Sequence, residues 1–256
     1  MPVTPAHAAA VVPLRRWFPR LPWLALVVGT QVPDLPMFFP RLTPSYSVTH
    51  SYLLGAVVNV LYGYLILWSC EWMRPAMIAL LPSGARLRLS FAAASRYPRE
   101  HSLLQMAALA AGALTHLLWD EFTHERGFGP RHIAALRGSW ALSLPGYKWL
   151  QYGSGVLGMA FFAFWLLHAL RTLPVGDDVA RRWREVERRS IWAGLLILLP
   201  LASATAAYLH VDPSSSLHDF GFHAVTTLFA CELLAALALR ALFPLRAIVR
   251  ADRQPG

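Results

Sequence analysis

An all-α fold, a polytopic membrane helix bundle with about five to six spanning helices, is what this sequence predicts. Three observations lead there. Of its 256 residues, 56% are hydrophobic and 14% charged, where a soluble globular chain carries about a quarter of its residues as charge. Six apolar runs approach the roughly 20 residues that cross a hydrocarbon core as helix. Basic residues are shared unevenly between the segments joining those runs, as membrane topology demands.

The candidate spans are 21–40, 51–73, 102–122, 149–170, 190–209 and 220–243. In the first, Pro33, Pro36 and Pro40 interrupt the run and Asp34 lies inside it. Proline removes a helix hydrogen bond and clashes with the preceding turn, so this segment is expected to be broken or re-entrant. Together with the next three runs it forms a motif-bearing helical membrane region over 1–170. Within that region "LPSGARLRLS" (81–90) reads as a loop on its Pro and Gly. A charged cytoplasmic linker helix is expected at 171–189, in which "DDVARRWREVERRS" (177–190) presents a solvated or headgroup-contacting face. The last two runs make a C-terminal two-helix hairpin and tail, 190–256.

With residues 1–20 inside, six spans place 18 of the 23 Lys and Arg residues in inner segments and 5 in outer ones. The outer end of 102–122 then carries its polar residues. A net charge of +9 invites an anionic partner, but Lys148 is the single lysine and the arginines flank apolar runs. Arginines so placed anchor helix ends and meet anionic headgroups, so the expected partners are membrane lipids and not nucleic acid. Cys70 and Cys231 both lie in apolar runs, which argues against a disulfide framework. Arg15 and Arg16 follow a short apolar stretch instead of preceding one. That order is the reverse of a secretory signal, so His7 is expected to persist in the mature chain.

Polar residues inside the apolar runs carry the chemistry. In "GALTHLLWDEFTH" (112–124), His116, Asp120 and His124 recur every four residues. Such residues advance about 40° per step on a helix, so all three fall within an arc of about 80°. A carboxylate at membrane depth is costly unless paired. A His–Asp hydrogen bond would satisfy it, and so would a divalent cation, which accepts imidazole nitrogen and carboxylate oxygen. Asp34, and His50 with Ser47, Thr49 and Ser51 around it, fall in the same outer half. Three segments delivering His and carboxylate to one depth favour a metal site. His101, His132 and His168 read as ordinary interfacial side chains. The polar group of "LHDFGFH" (His218, Asp219, His223) reads the same way, and Glu232 as a buried candidate or a partner of Asn59.

The ordered motifs "TPAHAA" (4–9), "VPDLP" (32–36), "THSYLLG" (49–55), "GALTHLLWDEFTH" and "YKWLQYGS" (147–154) resemble the DUF4184 family of multi-spanning bacterial proteins, a domain of unknown function. More remotely, the order His, Asp, His, then His-x-x-x-Asp is similar to the zinc-dependent phospholipase C and S1/P1 nuclease group. It is also similar to inner-membrane proteins described as metal-dependent hydrolases. That resemblance implies a site in which Asp34, His50, His116 and Asp120 surround one metal. It further implies that Asp120 bridges to a second ion ligated by His7, and that His124 begins a third position. The group continues with a His and an acid four apart, where this chain has Tyr147 and Gln151, both poor zinc ligands. His7 poses a conflict, because six spans put it inside and its partners outside. Either it is no ligand, or 21–40 is a hairpin that returns it to the same face.

These readings set the functional expectation. It is a bacterial inner-membrane, metal-dependent hydrolase with one or two divalent ions, zinc by donor type, acting on a phosphoester such as a lipid headgroup. Asp34 is the candidate for orienting or deprotonating water, and Arg126 and Arg131 for attracting an anion. A non-catalytic membrane protein stapled by metal, or a proton-coupled transporter, would bury many of the same residues. Serine-hydrolase, nucleotide-loop and zincin motifs are absent from the sequence.

Overall fold

A computed structural model describes residues 4–39, 41–81, 83–94 and 102–175. The expected spans at 190–209 and 220–243 and the charged segment 177–190 lie outside the described residues. So do His101, His218, Asp219, His223, Cys231 and Glu232.

The described residues are helical, with no strand among them and one isolated bridge between Ser139 and Pro145. A 3-10 helix, Thr4–Ala10, leads into α1 (Val11–Trp17) and α2 (Trp23–Gln31). A 3-10 turn at Val32–Asp34 then precedes α3 (Leu35–Phe38) and α4 (Tyr46–Thr49). The long helix α5 (Tyr52–Leu80) is followed by α6 (Ser83–Ala94) and α7 (Ser102–Thr123). Short helices α8 (Phe128–His132) and α9 (Ala134–Arg137) and a turn at Ala141–Ser143 lead to α10 (Gly146–Thr172). The chain divides into two compact units, Met1–Ser69 with Tyr97–Arg171, and Cys70–Arg96 with Thr172–Gly256. All candidate site residues described below belong to the first.

Three stretches, Tyr52–Arg74, Ser102–His132 and Gly146–Thr172, are long and apolar enough to cross a membrane. They coincide with three of the expected spans. On α5, Leu53, Val57, Leu61 and Leu65 recur every four residues and are all exposed. Val156, Leu157, Phe161, Phe164 and Leu167 are likewise exposed along α10. Apolar faces of this extent call for a lipid or protein cover.

Of the candidate spans, 21–40 is broken, as its prolines led us to expect, and forms no single spanning helix. The longest piece, α2, has nine residues, about 14 Å at 1.5 Å per residue, half the hydrocarbon core. Prolines set the breaks, since Pro33 and Pro36 open the next turn and the next helix, the positions where a missing N–H costs nothing. The segment 81–90, by contrast, is not the expected loop, because α6 starts at Ser83. Its Gly84 sits in the first turn, and the Ala, Arg and Leu residues that follow are strong helix formers.

The first unit is centred on α2 packed against α7, with Leu26, Val28, Ala108 and Leu109 buried between them. Gly29 and Gly112 set the closeness of that crossing. A Cβ at Gly112 would stand 2.3 Å from Leu26 O, and one at Gly29 2.3 Å from Leu109 O. Small residues let helices approach to backbone contact. The crossing brings Thr30 to His116, whose Nδ1 donates to Thr30 O at 2.8 Å.

Candidate metal centre

Four side chains from three segments converge at the ends of α3, α4 and α7. Asp34 occupies the N-cap position of α3, where aspartate normally accepts from the N–H of the second or third helical residue. Here the second helical residue is Pro36, and Asp34 makes no capping bond. Its Oδ2 accepts instead from Thr4 Oγ1 at 2.7 Å, which leaves Oδ1 aimed inward. His50 ends α4 in a non-helical conformation and stacks on Tyr46, ring centroids 3.6 Å apart. His116 and Asp120 lie one turn apart on the buried face of α7.

Their facing atoms form a ring. Asp34 Oδ1 is 3.7 Å from His50 Nε2 and 3.5 Å from His116 Nε2. Asp120 Oδ2 is 3.6 Å from His50 Nε2 and 3.4 Å from His116 Nε2. All four lie within 4.8 Å of one another. These separations exceed ordinary N–H···O bonds of about 2.7–3.2 Å. They approach the edges of about 3.3–3.4 Å between ligands held about 2.0–2.1 Å from tetrahedral zinc.

Proton accounting tests whether the donors fit a cation. Thr49 Oγ1 donates to Pro33 O at 2.8 Å, so it can only accept from His50 Nδ1, 3.2 Å away. Tyr46 O, 3.1 Å from the same nitrogen, also accepts. The proton of a neutral His50 is therefore on Nδ1, and the carbonyl of Thr30 fixes it there in His116 too. Both histidines thus present an Nε2 lone pair to two carboxylates. Each Nε2, with Asp34 Oδ1, is buried without a hydrogen-bond partner. Three such acceptors, facing Asp120 Oδ2, fit a cation.

His7 and His124 lie beside the other oxygen of Asp120. His7 Nε2 is 3.6 Å and His124 Nδ1 3.3 Å from Oδ1. His7 also stacks on His116, centroids 3.8 Å apart. Burial, and then His116, hold the His7 imidazole down to about 3, so it is neutral at physiological pH. His7 therefore lies with Asp120 and His116 and not apart from them. The chain from Thr4 to Asp34 leaves and returns to one place, joined by the Thr4–Asp34 hydrogen bond. Of the expected anion-attracting residues, Arg131 is engaged by Glu121 and Gly127 O. Arg126 lines a cleft of about 360 Å³ with Tyr46, His50, Asp120, Glu121 and His124. That cleft reaches the His50 and Asp120 side of the ring.

Sequence reasoning missed the supporting residues Thr4, Thr30 and Tyr46. Only position signalled Thr4, three residues before His7. Asn59, named above as one of two alternatives for Glu232, donates to Thr49 O at 2.8 Å. Thr4→Val should cost about 1–3 kcal/mol by leaving a buried carboxylate oxygen unsatisfied, and about 10–100-fold in zinc affinity. Melting curves with and without zinc check both, and a variant indistinguishable from wild type would remove Thr4 from the site.

No curated protein and no solved structure matches this chain. A family match, however, covers nearly its whole length, residues 1–244. The chain belongs to the family described as "Domain of unknown function (DUF4184)".

Proposed function

We propose that this protein is a metal-dependent hydrolase of a bacterial inner membrane, built on about five to six spanning helices and acting on a phosphoester such as a lipid headgroup. One observation carries the reading: the ring of Asp34, His50, His116 and Asp120 has one side on a cleft. A purely structural site would be closed on all sides, whereas a catalytic one keeps a position open. When bound, a divalent cation, zinc by this donor set, supplies a Lewis acid for a phosphoryl oxygen and lowers the pKa of water.

The chain's own residues divide the remaining work. His116 and Asp34 are almost fully buried and hold the inner side of the site. Asp34, the expected base, has Oδ2 tied to Thr4 and does not line the cleft. The reading therefore gives it the task of holding the cation, while His50 and Asp120 face incoming substrate. Arg126, exposed at the cleft, supplies a fixed positive charge for a phosphate. Tyr52 and Glu121, joined at 2.9 Å, tie the start of α5 to the end of α7, so the cleft lies at the ends of two candidate spans. A headgroup sits at that depth.

Zinc-loaded protein in detergent should release headgroup from phospholipid micelles, and a chelator should stop it. Stoichiometric zinc without turnover on phosphomonoesters, phosphodiesters and phospholipids would leave a metal-stapled structural protein instead.

A further inference from the structure

His124 stands a turn beyond Asp120, with Nδ1 3.3 Å from Asp120 Oδ1. It is either a further ligand or a hydrogen-bond donor, and the position of its ring proton decides which. Its neighbours fix that proton. Lys148, the chain's single lysine, places Nζ 3.1 Å from one terminal atom of Gln151. An ammonium only donates, so that atom is the amide oxygen. The other terminal atom is then the NH2, 3.4 Å from His124 Nε2. An amide NH2 also only donates, so Nε2 accepts and the proton of a neutral ring sits on Nδ1.

A second, independent contact agrees. Thr123 Oγ1 spends its proton on Trp119 O at 3.2 Å, so toward His124 Nδ1, 3.3 Å away, it can only accept. The backbone oxygen of Asp120, also 3.3 Å from Nδ1, accepts as well. Every named neighbour of Nδ1 is an acceptor, and the named neighbour of Nε2 is a donor.

We propose that His124 is a positioning residue and not a cation ligand, its Nδ1 kept protonated beside Asp120 by the Lys148–Gln151 pair. His50 and His116 carry the same tautomer but turn the bare Nε2 toward the carboxylates. His124 turns the protonated nitrogen toward them. Its Nδ1–H bonds the backbone oxygen of Asp120 and stands 3.3 Å from Oδ1, an attraction that leaves Oδ2 for the ring of four. The arrangement also explains a fully buried glutamine in an apolar helix, which would otherwise be costly. This inference rests on the metal reading only for the task given to Asp120.

Protein labelled with 15N-histidine in detergent micelles tests it, the His124 signal being the one lost in His124→Gln. The expected wild-type tautomer is Nδ1–H. In Gln151→Glu the carboxylate accepts from both Lys148 and the ring, so the proton should move to Nε2. Should His124→Gln not fold, the signal that changes tautomer in Gln151→Glu identifies the residue. In zinc titrations, His124→Gln should keep the wild-type number of ions at saturation, with affinity lowered about 10–100-fold as for an outer partner. A wild-type His124 protonated on Nε2, or one zinc fewer at saturation in folded His124→Gln, would overturn the proposal. Wild type that takes up no zinc would defeat the metal reading, and the tautomer measurement would still decide the role of His124.

Discussion

Detergent-purified wild-type protein is expected to carry zinc that His116→Ala and Asp120→Ala each lose completely. His116 is the most enclosed member of the ring, fully buried, with Thr30 O holding its Nδ1. Its removal deletes one ligand of four and leaves Asp34 and Asp120 with no cation and with His50 alone between them. Uncompensated buried charge of this kind costs about 3–5 kcal/mol, so the alanine variant should also melt lower than wild type. Asp120→Ala removes the one residue that faces His7, His50, His116 and His124 together. Elemental mass spectrometry reads the result directly. His132→Ala, on an exposed ring bonded to Phe128 O, should leave the zinc content unchanged. Metal-free wild type beside folded, unchanged variants would sink the metal reading and turn attention to transport.

Gly112→Ala should be among the most damaging single methyls in the described residues of the first unit. The added carbon would meet Leu26 O at 2.3 Å, with Gly29 Cα and Thr30 N both at 3.0 Å. All three are backbone atoms, so no rotamer change relieves the clash and α2 must move. Overpacking of this sort costs about 1–3 kcal/mol and occasionally more. The displacement also acts on the site, because α2 supplies the carbonyl that orients His116. Zinc affinity should therefore fall together with the melting temperature. Gly153→Ala, on α10 with nothing within 4 Å, is the control and should be neutral or stabilising by up to about 1 kcal/mol. A Gly112→Ala protein that melts with wild type and keeps its zinc affinity would mean that α2 and α7 are not so closely joined.

Much of this arrangement was legible in the residues themselves. Interval and polarity in an apolar run singled out His116, Asp120 and His124, and the prolines around Asp34 announced a broken segment. What the sequence could not convey is direction. The four-residue interval places His116 and His124 alike, yet their rings turn opposite nitrogens to the same carboxylate. That difference depends on Thr30 and Gln151, which are 86 and 27 positions from the rings they bond. Gln151 was weighed as a ligand and set aside, but an amide buried in an apolar helix marks a hydrogen-bond partner. Nor does any local signal reveal that Thr4 would reach Asp34. The helix at Ser83–Ala94 was missed for a different reason, since Gly84 was read as a breaker where it only sits in a first turn.

The return path from Thr4 to Asp34 gives a bound ion a second task. That segment is packed on α7 through the buried α2 crossing, so parting the two would undo the centre of the first unit. Asp34 belongs to that segment and His116 and Asp120 do not, so an ion shared among them acts as a clasp across the boundary. Opening must first release the ion. At a free zinc concentration a thousandfold above its Kd, that linkage adds about 4 kcal/mol against opening. In a metal-starved cell that added resistance is lost, and the α2–α7 packing alone holds Asp34 and His7 in place.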